Sequence, residues 1–180
     1  MSCLDALQSL LGATPSLPLP GLRRQTGEDV SLLRALFVAR RWQEVSAAPG
    51  WSDAQRLAFL HAQEQMQRAH YERHYPQADF LVVIQQNQPV GRLCLWRADQ
   101  SLRVVDIALL PAWQGRGTGS LVLEAVVALA DRLATPCCLS VEPFSPARRL
   151  YTRLGFLPGE DQGAYLQMHR PALPRSDAMN

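Results

Sequence analysis

The stretch Pro111–Ala125 reads PAWQGRGTGSLVLEA, with glycines at 115, 117 and 119 followed by an apolar run. Glycine loses more conformational freedom on folding than any other residue and adds no side-chain contact. Three of them on alternate positions ahead of an apolar helix imply a turn that side chains forbid, or a ligand that approaches the main chain. A helix N-terminus offers unpaired N–H groups and a partial positive charge, and successive loop amides make a concave seat for phosphate oxygens. Gln114–Gly119 therefore reads as a phosphate cradle, with a ligand-free tight turn as the alternative. A P-loop is excluded because the chain contains no lysine. The G-x-G-x-G spacing also differs from the G-x-G-x-x-G of a dinucleotide fold.

Upstream, DFLVVIQQ, PVGRLCLW and SLRVVDIALL are strand-like runs separated by the polar turns Gln86–Gln88 and Ala98–Gln100, an antiparallel meander. Before them, Leu22–Thr26 reads as a short strand. Thr26 and Asp29 have capping-box spacing for a helix carrying Leu32, Leu33, Leu36 and Phe37. Ser52 caps a second helix that runs to about Tyr75 and stops at Pro76. Downstream, a helix spans about Gly117–Ala134, apolar nearly all round and so expected between two layers. A strand Pro136–Glu142, a helix Pro146–Leu154 and closing strands Phe156–Pro158 and Ala164–His169 follow. The order β-α-α-β-β-β-α-β-α-β-β predicts an α/β fold of α+β type, one mixed sheet with helices on both sides. The expected domain covers residues 21–172, with a C-terminal tail at 173–180. Before it, Leu4, Leu7 and Leu11 lie at helical spacing, and a Pro-rich linker leads to Pro20. Residues 1–20 are expected to form a loosely docked tail, with a partner-binding peptide as the alternative.

Composition narrows the function. Of 180 residues, 47% are hydrophobic and 19% charged, which suits one globular domain. A net charge of +2 gives no reason to expect nucleic acid or an anionic membrane as partner. Without lysine, Schiff-base catalysis is excluded. Cys3, Cys94, Cys137 and Cys138 form no C-x-x-C pair, so free thiols in a reducing cytoplasm are expected, with a redox role as the alternative. No apolar run reaches the ~20 residues of a membrane span, and the N-terminus lacks the basic start of a signal peptide.

DIALLPAWQGRGTG resembles the acetyl-CoA motif of the GCN5-related N-acetyltransferases (GNAT), [QR]-x-x-G-x-[GA] after a strand and short loop. Gln114, Gly117 and Gly119 occupy its fixed positions. VEPFSPARRLYTRLGF is similar to the family's second cofactor segment, N-x-x-A-x-x-L-Y-x-x-x-G-F or close to it, matched by Leu150, Tyr151, Gly155 and Phe156. The resemblance covers roughly Gly21–Arg170 and implies a GNAT-type single domain. The implied activity is acetyl transfer from acetyl-CoA to a primary amine, without a metal, by direct attack on the thioester. A non-catalytic acyl-CoA-binding or regulatory module of the same fold is the alternative.

By resemblance, the backbone of Ile107, Ala108 and Leu109 pairs with the pantetheine arm, and the Leu109 N–H polarises the thioester carbonyl. Gln114, Gly115, Arg116, Gly117, Thr118 and Gly119 hold the pyrophosphate, with Arg116 adding charge or facing solvent. Tyr151 matches the tyrosine that hydrogen-bonds or protonates the departing thiolate; the other reading is a core tyrosine. Asp106 is the leading base candidate, or it pairs with Arg103 or Arg92. Glu142, on the same strand face as Ser140 and Cys138, is a second base candidate or an exposed strand-end charge. His70 and His74, one helical turn apart, offer two metal ligands but no third; with Tyr71 and Tyr75 they form an acceptor-pocket wall or a packed helix end. The acceptor is a small-molecule or peptide amine. Polyamines and aminoglycosides call for several pocket acids, and only two are in view. A homodimer is one option for assembly.

One departure stands out. Ser145 occupies the position of the family asparagine, and a hydroxyl cannot supply an amide's paired donor and acceptor. Ser145→Asn is therefore expected to tighten acetyl-CoA binding in a calorimetric titration; an unchanged affinity would show that Ser145 is misaligned.

Overall fold

Seven strands pair into one mixed sheet in the computed structural model, which describes residues 3–13, 19–98, 100–161 and 163–173. They are β1 (Gly21–Arg24), β2 (Asp79–Gln85), β3 (Gln88–Ala98), β4 (Ser101–Leu109), β5 (Cys137–Val141), β6 (Leu157–Asp161) and β7 (Leu166–Arg170). The spatial order is β1-β2-β3-β4-β5-β7-β6, with β4 and β5 parallel and every other pair antiparallel. The expected meander is β2–β4, and the two closing strands are β6 and β7.

Five helices flank the sheet among the described residues: α1 (Cys3–Gly12), α2 (Val30–Ser46), α3 (Asp53–His74), α4 (Thr118–Arg132) and α5 (Arg148–Arg153). Local chemistry sets their starts. The Thr26 N–H donates to Asp29 Oδ2 at 2.8 Å, and the Arg23 guanidinium grips the same carboxylate with two 2.7 Å hydrogen bonds. At α3 the Ser52 N–H donates to Gln55 Oε1 at 2.8 Å, and the Gln55 N–H returns to Ser52 Oγ at 3.3 Å.

Sheet alternation divides the core. Leu81, Val83, Leu93, Leu95, Leu102, Val104 and Leu139 point to one face, where α1, α4 and Tyr151 of α5 pack on them. Val82, Ile84 and Ala108 point to the other, under Leu32 and Leu36 of α2. The Leu-rich N-terminus differs from its expectation. Leu7 and Leu11 are buried, α1 packs on α4, β1 and β2, and Gln8 Nε2 donates to Leu22 O at 2.8 Å. Sequence periodicity identified the helix but not its seat, because the groove it fills is made by α4, some 110 residues later. Most of the expected linker, residues 14–18, and most of the C-terminal tail, residues 174–180, lie outside the described residues.

Two local irregularities shape the centre of the sheet. Opposite β3, Leu95 faces Val104 while Cys94 faces Asp106, so Val105 is an extra residue, a β-bulge. Beside it, β4 pairs with β5 only from Leu102↔Cys137 to Val104↔Leu139. Past the bulge the two parallel strands separate and a cleft opens. On the other flank β3 comes close to the end of β4, where a Cβ on Gly91 would stand 2.5 Å from Ala108 O and closer still to Leu109 Cδ2. No helix among the described residues is long and apolar enough to cross a membrane.

Because Leu7 is wholly buried, Leu7→Ala is expected to lower unfolding free energy by about 2–5 kcal/mol in a denaturant titration. A docked but expendable tail would lose less than about 0.5 kcal/mol.

Candidate active site

The cleft gives β4 a free edge from Val105 onward. The Leu110 N–H bonds to Val90 O at 2.9 Å, so by ladder alternation the Leu109 and Ile107 main-chain groups turn away from β3 and into the cleft. Gln114 Nε2 donates to Leu109 O there at 2.8 Å, and an Arg40 nitrogen approaches Ile107 O at 3.4 Å. Ala108 departs from the expectation. Its main-chain groups point at β3 and its side chain packs with Leu32 and Leu36, so it supports the strand without presenting polar groups to the cleft.

At the end of β4 the chain turns through Pro111–Trp113 into the glycine loop. Gly115 and Gly117 have φ of 70° and 85°, and a Cβ on either would meet open space. Glycine is needed there for the left-handed backbone, and the space above it is clear for a ligand. The first hydrogen bond of α4 runs from the Leu121 N–H to Gly117 O at 3.0 Å, which leaves the amides of Thr118, Gly119 and Ser120 to an outside acceptor. Gln114 braces the loop against β4, and Arg116 lies over the Trp113 ring at 5.5 Å. The Thr118 side chain is buried. The loop thus fits a diphosphate on backbone amides, with Gln114 positioning the loop.

Below the loop the cleft opens into a cavity of about 680 Å³ on the α2/α3 side of the sheet. Tyr151 of α5 reaches it while its ring packs edge-on against Phe156 at 6.0 Å. It is at once a core tyrosine and a lining one. Burial raises its pKa more than the Arg40 charge lowers it, so the phenol keeps its proton. Ser145 also lines the cavity, and its Oγ accepts from the Ala147 N–H at 3.3 Å, holding the turn into α5. Glu142 follows β5, exposed, at the cavity that Ser140 also lines; its carboxylate has no ion pair among the described residues, and its charge acts on Arg41.

Asp106 takes the second of the two readings weighed for it, a pair with Arg92. Regular alternation would aim it with Val104 into the apolar core; the bulge turns it to the face of Cys94 and Arg92. Arg92 Nε donates to Asp106 Oδ2 at 2.8 Å, Arg92 Nη2 donates to the same oxygen, and Arg40 approaches Oδ1 at 3.3 Å. Burial alone would raise the carboxyl pKa, but Arg92 and then Arg40 outweigh it and hold the group below the usual carboxylate range. Such a carboxylate is a poor proton acceptor. Arg103, the other partner weighed for it, faces the cavity.

His70 and Tyr71 of α3, with Tyr75 just past its end, line the cavity as a wall. The His70 and His74 rings stack at 3.9 Å, and no cluster of three metal-ligating side chains exists among the described residues. Cys94 and Cys137 are buried, and burial pushes both thiols up to about 12, which disfavours a redox role. Arg40, Arg41 and Gln67 were not singled out from sequence. Arg40 had a signal: it follows Leu33 and Leu36 at i+7 and i+4, a charge on an apolar helical stripe.

Asp106→Asn removes one side of a buried pair and is expected to cost about 3–5 kcal/mol in denaturant unfolding. Because the folded carboxyl titrates low, the pair's contribution is complete above the unfolded value of about 3.9 and fades as pH falls through the folded one. The gap between wild type and variant should therefore narrow below about pH 4.

Residues 76–158 match the family model described as an acetyltransferase (GNAT) domain. Among solved structures, PaiA N-acetyltransferase from Thermoplasma acidophilum, in complex with coenzyme A, aligns with a TM-score of 0.61 at 16% identity, covering 84% of this chain and 98% of that one. An acetyltransferase from Thermus thermophilus gives 0.60 at 19% identity over 84% and 96%. A ribosomal-protein-alanine N-acetyltransferase from Escherichia coli gives 0.58 at 15% identity over 89% and 99%. No curated protein matches significantly by sequence. The bulged β4, the glycine turn and the parting of β4 from β5 thus fall in a chain that has the GNAT fold and whose residues 76–158 match the GNAT acetyltransferase domain.

Proposed function

We propose that the protein is an acetyl-CoA-dependent N-acetyltransferase acting on a primary amine of a small molecule or peptide. The observation that carries it is the continuity of one path. Free amides at the start of α4 lead along the cleft-facing edge of Ile107 and Leu109 to Tyr151 and a cavity large enough for an acceptor. The amides suit a diphosphate, the strand edge suits the amide-bearing pantetheine arm, and the Leu109 N–H is available to the thioester oxygen. The four free thiols favour a reducing, cytoplasmic setting.

In the proposed reaction the amine nitrogen attacks the thioester carbonyl carbon, an amide bond forms, and the C–S bond breaks. An alkylammonium with pKa ~10.4 costs roughly 4–5 kcal/mol to deprotonate at neutral pH. Glu142, exposed and unpaired at the cavity edge, takes that proton directly or through water. Tyr151 donates a hydrogen bond to the sulfur as negative charge develops. Its raised pKa makes complete proton transfer less favourable than a strengthening hydrogen bond.

Calorimetry with acetyl-CoA tests the site, and free-thiol release with an amine panel tests the chemistry. Tyr151→Phe is expected to lower kcat about 10–100-fold with little change in acetyl-CoA affinity. Glu142→Gln should suppress the rate most at low pH, where free amine is scarcest. An unchanged rate removes the residue concerned from the mechanism. Cofactor binding without thiol release for any amine supports the non-catalytic module.

A further inference from the structure

The acceptor side of the cavity carries more positive than negative charge. Arg41 is answered by Glu44 through two hydrogen bonds at 2.8 and 2.9 Å. Asp106 is shared between Arg92 and Arg40, so those three side chains keep one net positive charge, held at the cavity by the partly exposed Arg40. Arg103 adds another. It lines the cavity, is half-buried, and has no carboxylate partner among the described residues. Against these stands one further lining carboxylate among the described residues, Glu142, which makes no ion pair and whose charge acts on Arg41.

Register places the charges. Arg103 faces Trp96 and Asp106 faces Cys94, two residues apart on β3, so both point to the α2/α3 face. The Tyr75 ring packs on Trp96 at 5.2 Å and walls that side. Arg103 lies where β4 and β5 are still paired, at the closed end of the cleft, whereas Glu142 follows β5 at its open end. An unanswered guanidinium beneath an aromatic wall is a seat for a planar or tetrahedral anion.

We propose that the acceptor amine carries an anionic group, carboxylate or phosphate, seated on Arg103 with Arg40 while its amine lies between Glu142 and the thioester. The inference rests on the N-acetyltransferase reading and narrows its substrate to small zwitterionic amines, against polyamines. Arg103 acts as a specificity residue.

The test measures kcat/KM by thiol release for acceptor pairs that differ only in the anion: alanine and alaninamide, a dipeptide and its C-terminal amide, phosphoethanolamine and ethanolamine, with spermidine alongside. The anionic member of at least one type is expected to be favoured by about tenfold or more. The carboxylate and phosphate pairs report which anion the seat takes. Arg103→Gln should erase most of that preference through KM, Arg103→Lys should keep part of it, and both should bind acetyl-CoA as wild type does. Turnover with no anion preference, faster turnover of spermidine, or a preference that survives Arg103→Gln overturns the inference and leaves the acetyltransferase reading standing. An acetyl-CoA-binding protein that acetylates none of these amines overturns that reading, and the inference with it.

Discussion

The ion pair between Asp106 and Arg92 joins strand geometry to charge at the centre of the molecule. Asp106 sits in a central strand amid Val105, Ile107 and buried neighbours, where an unpaired carboxylate would be very costly. The extra residue at Val105 rotates it onto the face where Arg92 and Arg40 wait. At the same point β4 leaves β5. The bulge thus coincides with two requirements, a satisfied buried charge and an open strand edge. Removing the pair would disturb the one stretch of backbone that the cleft depends on.

From that edge the remaining parts follow by connection. Gln114 ties the glycine loop to Leu109 O, so the free amides of α4 are held in line with the cleft. Ser145 holds the turn that brings Tyr151 to its far wall. Arg40 links α2 to Asp106 and to Ile107 O, coupling that helix to the same strand. The glycine loop, the cavity and α2 are therefore all tied to the main chain of β4.

Much of this was legible in the residues. Alternation through DFLVVIQQ and SLRVVDIALL, the capping boxes at Thr26 and Ser52, and the glycines ahead of α4 are local signals, set by backbone sterics and by which groups can meet within a few residues. The pairing of Asp106 with Arg92 was weighed from sequence, but the turn of Asp106 onto that face was not legible, because a bulge breaks the period of two on which such inferences rest. Ala108 was misread as a cleft residue because its main-chain direction depends on ladder phase relative to β3.

Sequence alone determined the strands and helices and the glycine turn, since each rests on contacts within a few residues. Tertiary structure decided which charges neutralise one another, that α1 belongs to the core, and that Arg103 faces the cavity without a carboxylate partner among the described residues. Those outcomes depend on segments tens of residues apart meeting across a sheet, and charge is balanced by distance in space rather than along the chain.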